Sequence, residues 1–246
     1  MNIVQWVGES DHWTVPQCPE CPRFVMPLTE RCVLSVATMV SPSRKLSLQA
    51  ALNCTSRLAL RVALAGTTLN PQWAPLQWPG PSVVKAPASS ANLGVRFLPP
   101  NEYIQHLQAV APDLARFGVV EDFVNGPQYE LDGYVIGGVA GCFHPLQQHW
   151  NDAGDAILAY ERKEPAGKEW VEAVLTGVRA VGINDAPFCV EFRKDLRRDQ
   201  WKIIELHARL GEDPGLAELM SDEDPISLVE RACQAAAQCC PLCGLL

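Results

Sequence analysis

Residues 188–193 read F-C-V-E-F-R and residues 202–209 read K-I-I-E-L-H-A-R, with a charged turn over 194–200 between them. Both runs have strand composition, and side chains alternate faces along a strand. Glu205, His207 and Arg209 therefore share one face, while Ile204, Leu206 and Ala208 take the other. Paired as a hairpin, the runs bring Glu191 towards Glu205. Two neighbouring carboxylates repel unless a cation or a proton sits between them. This face reads as the start of a magnesium site, and Arg209 beside it is suited to a phosphate. The bland alternative is a solvated hairpin face, with Arg209 in a surface ion pair worth ~0–1 kcal/mol.

The rest of the composition narrows the setting. The chain has 246 residues, 48% apolar and 20% charged, which is ordinary for a globular protein. A formal charge of −8 and no basic patch argue against a general nucleic-acid binder. No apolar run approaches the ~20 residues that span a bilayer, and residues 1–10 lack the basic start and apolar stretch of a signal peptide. Neither membrane association nor export is expected, and the cytoplasm is the default location. The ten cysteines read as thiols rather than as a disulfide framework. Cys18 with Cys21, and Cys240 with Cys243, have the C-P-x-C spacing of a zinc knuckle. Together they could offer four sulfur ligands to zinc, although nothing in the sequence brings the two pairs together; reduced terminal cysteines are the plainer expectation.

Along the chain, residues 1–45 show no convincing period and are expected to be irregular, with one short strand or helix around 32–40. From Ser47, the spacing of Leu48, Ala51, Leu52, Leu58, Val62 and Ala63 predicts an amphipathic helical stretch that ends at Gly66. Residues 82–86 and 95–98 predict a hairpin with a small-residue tip, and Asn101 is placed to cap a helix running to about 117. Residues 119–124 and 129–136 are strand candidates joined by the turn Asn125-Gly126-Pro127. A glycine-rich polar stretch follows, with a solvated charge run over 161–164. Trp170, Val171, Val174, Leu175, Val178 and Val181 mark a further helix, and 225–237 a last one. Strands and helices alternate without strict βαβ order, which favours α+β lobes over a doubly wound sheet. Lys85 ends a strand just before the small-residue tip. From there its ammonium can reach a phosphate while backbone N–H groups of the tip approach it, or it can simply be solvent-exposed. There is no Walker or dinucleotide glycine motif, so a nucleotide site requires another fold.

In this order the elements resemble the ATP-grasp superfamily over about residues 46–232. Arg57 and Arg61 in L-S-L-Q-A-A-L-N-C-T-S-R-L-A-L-R take the spacing of the family's basic pair. V-V-K at 83–85 and the tip after it resemble its phosphate-contacting strand and loop. V-V-E-D-F-V-N-G at 119–126 is similar to its hinge, and residues 187–212 to its metal block. The resemblance implies an α+β, two-lobed clamp of antiparallel sheets with flanking helices, its usual preceding α/β domain absent or reduced. Residues 1–45 would be an irregular remnant of that domain, 46–126 the helical entry and small lobe, 127–232 the large lobe with the metal site, and 233–246 a cysteine-rich tail. It further implies an ATP-dependent carboxylate–amine ligase that uses Mg2+ or Mn2+, takes small carboxylates and amines such as amino acids, and works through an acyl-phosphate. Arg57, Lys85, Ser89, Ser90 and Gly94 would contact phosphates. Glu121, Phe123 and Val124 would hold adenine, Gln128 the ribose, Glu191, Glu205 and His207 the metal, and Arg209 the reacting phosphoryl group. His207 stands where the family carries an asparagine, and an imidazole suits transition metals better than magnesium. It could equally be an exposed strand histidine or a general base. Gln128 replaces an acid, and Arg57 a lysine. A non-catalytic nucleotide-binding or scaffold descendant is the alternative reading, and a zinc-stapled interaction module on the C-P-x-C pairs a third.

Overall fold

The computed structural model describes residues 4–8, 24–39, 44–74, 82–85, 95–98, 119–151, 156–213 and 215–238. Ser89, Ser90, Gly94, the helix expected after Asn101, and the cysteines at 18, 21, 240 and 243 lie outside them. The chain opens with three short parallel strands, β1 (Val4–Val7), β2 (Phe24–Pro27) and β3 (Arg44–Lys45), with helix α1 (Val33–Thr38) between the last two. Helix α1 falls in the stretch 32–40 where one short element is expected, while the three strands correct the reading of the rest of residues 1–45 as irregular. β2 is buried along its whole length, so it has no apolar–polar alternation to read.

Helices α2 (Leu48–Thr55) and α3 (Arg57–Ala63) replace the single helix expected from Ser47. Ser47 Oγ caps α2 by accepting from Ala50 N at 3.1 Å. Ser56 then breaks the run by adopting extended backbone, and its Oγ caps α3 by accepting from Ala59 N at 3.3 Å. The break turns the apolar face. Leu48, Leu52 and Val62 are 47%, 42% and 60% exposed, while Ala50, Ala51, Cys54 and Leu60 are buried.

Strands β4 (Trp73–Ala74), β5 (Ser82–Lys85), β6 (Val95–Leu98) and β7 (Val119–Asp122) form a small antiparallel sheet in the order β4-β7-β5-β6. β5 and β6 pair as the expected hairpin, Ser82 opposite Leu98 and Lys85 opposite Val95. After β7 the chain passes through Asn125, Gly126 and Pro127 into β8 (Gln128–Ile136), which belongs to a different sheet. That turn is a crossing between sheets. A Cβ on Gly126 would lie 1.8 Å from the Lys194 carbonyl oxygen, so only glycine lets the crossing pass this close to the far sheet.

The large sheet adds β9 (Val139–Cys142), β10 (Leu146–Trp150), β11 (Ile157–Arg162), β12 (Ala186–Asp195) and β13 (Gln200–His207), in the order β11-β10-β8-β12-β13 with β9 paired to β8. Gly137 (φ 59°) and Gly138 (φ 81°) turn β8 into β9, the positive-φ pair that a two-residue hairpin requires. β9 to β11 fall in the stretch whose sequence reads as polar and glycine-rich. They escape a pattern-based reading because an edge with both faces partly wet carries no apolar stripe: no residue of β11 is fully buried, and Leu158 is 71% exposed.

Helix α4 (Glu169–Val181), as expected, packs under the large sheet. Val174, Val178 and Val181 meet Leu131, Phe188, Val190 and Phe192 from the sheet, and Ala50, Ala51 and Leu60 from α2 and α3 complete the same core. The Phe192 ring stacks on Trp170 at 5.9 Å and on Tyr129 at 5.7 Å. Helices α5 (Leu216–Met220) and α6 (Pro225–Gln238) are the last described elements, with Val229 and Cys233 of α6 packed against Phe24, Met26 and Ile136. Among the described residues no helix is long and apolar enough to cross a membrane.

β12 and β13 pair as the sequence predicts, Glu191 opposite Glu205, but the next pair is Phe192 with Ile203. Ile204 is the extra residue of a β-bulge. Ile203, rather than the expected Ile204, therefore joins Leu206 and Ala208 in the core, and Ile204 turns towards the small sheet.

Candidate functional site

The upper face of the large sheet is built by alternation. β8 puts Tyr129 and Leu131 into the core and Gln128, Glu130 and Asp132 onto the opposite face. β12 does the same with Phe188, Val190 and Phe192 below, and Cys189, Glu191 and Arg193 above. Register then sets three rows across the strands: Gln128 beside Arg193; Glu130, Glu191 and Glu205 in line; and Asp132, Cys189 and His207 in line.

The small sheet meets this face through Lys85 of β5 and Glu121 of β7, both buried. Lys85 Nζ lies 3.2 Å from Glu121 Oε2 and 3.8 Å from Glu205 Oε1, and donates to the Ile204 carbonyl at 3.1 Å. Arg61, fully buried on α3, donates to both bulge carbonyls, Ile203 O at 2.8 Å and Ile204 O at 2.6 Å, and to Glu121 Oε1 at 2.7 Å. The bulge thus turns its carbonyls out of the ladder and gives them to cations of the entry helix and small sheet.

Glu205 is ringed by positive charge. Its Oε2 takes Arg57 Nη1 at 2.5 Å and His207 Nε2 at 3.5 Å. His207 Nδ1 reaches Glu30 Oε2 at 3.0 Å, and the same oxygen takes Arg209 Nε at 3.2 Å. Arg209 also pairs with Glu212 at 3.0 Å. Gln128 bridges Glu191, to which its Nε2 donates at 2.7 Å, and Arg193, whose Nε donates to its Oε1 at 2.6 Å. Beyond it, the Arg193 guanidinium lies 5.5 Å from the Phe123 ring centroid and donates to the Val124 carbonyl at 3.2 Å.

These contacts set the charge states. Burial pushes Glu191 up, helped by Glu205 and Glu130 beside it, to about 7. Burial alone would also raise Glu205, but Arg57, His207 and Lys85 outweigh it and hold its carboxyl well below the usual range. Burial opposes a charge on His207, yet its bonds to Glu205 and Glu30 raise it to about 9, so it is an imidazolium at neutral pH. Burial pulls the Lys85 ammonium below its usual range, against the attraction of Glu121 and Glu205.

Of the residues singled out in the sequence, Arg57, Lys85, Glu121, Glu191, Glu205, His207 and Arg209 thus fall in one network, with Phe123, Val124 and Gln128 at the end where the chain crosses between the sheets. The reading of His207 as an exposed strand histidine is corrected: it is 7% exposed, because Glu30 from the N-terminal unit covers it. Sequence reasoning gives no role to Glu30, Glu130 or Asp132, and reads Arg61 only as one of a basic pair. The alternation of Y-E-L-D in β8 carries a signal for Glu130 and Asp132; Glu30 carries none, since it reaches the site across 177 positions of sequence.

No protein-family model matches the chain, and no curated protein matches it. Solved structures do. The chain is similar to an L-amino acid ligase from Bacillus licheniformis with TM-score 0.72 and 20% identity, over 86% of this chain and 56% of that one. An ATP-grasp superfamily protein from Archaeoglobus fulgidus matches at TM-score 0.58 and 15% identity, over 76% of this chain and 57% of that one. A D-alanine–D-alanine ligase from Bacillus anthracis matches at 0.63 and 12%, over 87% of this chain and 81% of that one. The chain spans little more than half the length of the first two, and identities this low speak for the fold alone. Two antiparallel sheets joined by the crossing at 123–127, with helices α2 and α3 beneath and a charged cleft between, superpose on these structures, and the fold is the ATP-grasp fold.

Proposed function

We propose that the cleft binds ATP with a divalent cation and that the chain is a ligase-like protein joining a carboxylate to an amine through an acyl-phosphate. The observation that carries this reading is the meeting of Lys85 from the small sheet with the Glu191–Glu205 pair of the large one. The donor set fits magnesium: two carboxylates in register supply hard oxygen ligands, and Glu191, its pKa pushed up by burial and by Glu205 beside it, makes no direct ion pair among the described residues. Bound there, a dication would neutralise charge on the transferring phosphoryl group.

The chain's own groups take the remaining tasks. Lys85 and Arg57 offset phosphate charge, residues 121–124 with the Phe123 ring hold the adenine, and Arg209 faces the reacting phosphoryl group. A carboxylate oxygen would attack the terminal phosphorus and release ADP; an amine would then attack the acyl carbon and release phosphate. The structural neighbour's name, L-amino acid ligase, favours amino acids as the substrate class.

Ligand that binds only the folded state stabilises it by about 3 kcal/mol at a hundredfold excess over Kd, roughly 5–10 °C for a chain of this size. The melting temperature is expected to rise by that order in millimolar ATP and magnesium, and Glu191→Gln is expected to fold and lose the shift. An unmoved melting temperature in the unaltered chain would refute nucleotide binding. A second reading also has an observation behind it. Both Glu205 oxygens already face internal cations, Arg57 and His207 on one and Lys85 on the other, the arrangement of a descendant that binds nucleotide without turnover. ADP release in the presence of mixed amino acids separates the two.

A further inference from the structure

Beside the Glu191–Glu205 pair, the large sheet carries a second group of donors. Alternation along β8 puts Glu130 and Asp132 on one face, and the register with β12 sets Cys189 opposite Asp132. One donor atom from each of Glu130, Asp132 and Cys189 lies within 4.8 Å of the other two. The three residues are 3%, 1% and 3% exposed. Gln148 Nε2 donates to Glu130 Oε2 at 2.9 Å, and Gly211 N to Asp132 Oδ1 at 2.5 Å. The other carboxylate oxygens, Glu130 Oε1 and Asp132 Oδ2, are buried and have no donor among the described residues outside this group, within which only a shared proton or the Cys189 thiol can serve them. A buried polar atom left so costs about 1–3 kcal/mol, and more when charged. The neighbouring cations His207 and Arg209 are already bonded to Glu30, Glu205 and Glu212.

We propose that Glu130, Asp132 and Cys189 bind a thiophilic divalent cation of the zinc class, next to the Glu191–Glu205 pair in the same cleft. A thiol among the donors selects such a metal over magnesium, which prefers oxygen ligands throughout. Two carboxylates and a thiolate supply three ligands, and a fourth position left to water or substrate is the pattern of a reactive rather than a purely structural metal site. That position faces a cavity of about 450 Å³ that Glu130 and Cys189 line together with Tyr160 and Arg209, and that they share with Glu191 and Glu205. Binding displaces the thiol proton, and any proton held between the carboxylates, into solvent. Gly211 closes the group from above: a Cβ there would lie 2.7 Å from Glu130 Oε1.

Cobalt(II) is the probe, added alone to the chelator-treated full chain with no nucleotide, so the outcome is independent of the ATP reading. The cysteines at 18, 21, 239, 240 and 243 could also bind it, and a chain with all five replaced by serine serves as the background. In that background a thiolate-to-cobalt charge-transfer absorption of one equivalent is expected, quenched by zinc. It should vanish in Cys189→Ser and in Cys189→Ala, weaken at least tenfold in cobalt affinity in Glu130→Gln, and persist in Cys142→Ser, which alters an exposed cysteine. Cooperative melting of the Cys189 variants checks that they fold. No absorption in the background chain, or an equal absorption with Cys189 replaced, overturns the proposal and leaves a shared proton between the two carboxylates.

Discussion

His207 sits between two carboxylates, with Glu205 on Nε2, Glu30 on Nδ1 and the Arg209 guanidinium nearby on the same Glu30 oxygen. Its folded pKa of about 9 stands above the ordinary 6.5, so the folded state holds this proton more tightly than the unfolded chain. The stability it contributes is present in full below about pH 6.5 and is lost as pH rises through about 9. Each pH step of one between those two values removes ~1.4 kcal/mol, on the order of 3 kcal/mol in all. Glu130 and Glu191, raised to about 8 and about 7 chiefly by burial, act with the same sign at lower pH. The diagnostic quantity is therefore the difference between the unaltered chain and His207→Gln, by urea unfolding of metal-free protein. That difference should shrink between pH 7 and pH 9.5; if it stays constant, His207 is not held as a cation.

The β-bulge at Ile204 and the short helix α3 work as one device. The bulge frees two carbonyls, and Arg61 spends three donors on them and on Glu121, pinning the small sheet to the edge of the large one. Removing the guanidinium leaves Glu121 with Lys85 alone in a buried setting, and breaking a buried pair in this way costs about 3–5 kcal/mol. Arg61→Met should lose stability of that order in denaturant unfolding. Arg61→Lys should recover less than half, because one ammonium cannot span the carbonyls and the carboxylate together; full rescue by lysine would show that only the charge matters. This device marks the limit of what sequence patterns carry. The β12–β13 hairpin and the facing of Glu191 and Glu205 follow from period-two alternation, and the β5–β6 hairpin with Lys85 at its end from β-branched residues around a small-residue tip. A bulge breaks that alternation by one residue, so Ile203 and Ile204 exchange roles without any change in composition. The helix break at Ser56 likewise depends on a cap, and it moves Arg57 and Arg61 onto the buried side, where a smooth helix from Ser47 would have given that side to Leu48, Leu52 and Val62.

At the scale of the molecule, three units converge on one charge chain: Glu121 and Lys85 from the small sheet, Glu205, His207 and Arg209 from the large one, and Glu30 from the N-terminal unit. The parallel strands β1 to β3 are tied to the rest of the chain elsewhere too, by the Arg44–Asp185 pair at 2.6 Å and by Trp6 Nε1 donating to Glu230 at 3.1 Å. These contacts are not legible in residues 1–45, whose central strand β2 is buried without alternation, whose flanking strands are short and half-buried, and whose partners here are distant in sequence. The N-terminal unit is consequently a structural part of the cleft. Phe24, Val25, Met26, Val33 and Val36 are all 0% exposed, and full burial of such side chains is worth ~1.5–3 kcal/mol each. Their sum rivals the roughly 5–15 kcal/mol that typically separates folded from unfolded states. A chain shortened to residues 46–246 should therefore lose its cooperative melting transition, whereas Glu30→Gln in the full chain should keep that transition, melt a few degrees lower, and bring the His207 titration, followed by NMR, down from about 9. A shortened chain that melts within a few degrees of the full one would make the unit an appendage, and an unmoved His207 titration would mean that Glu205 alone holds the proton.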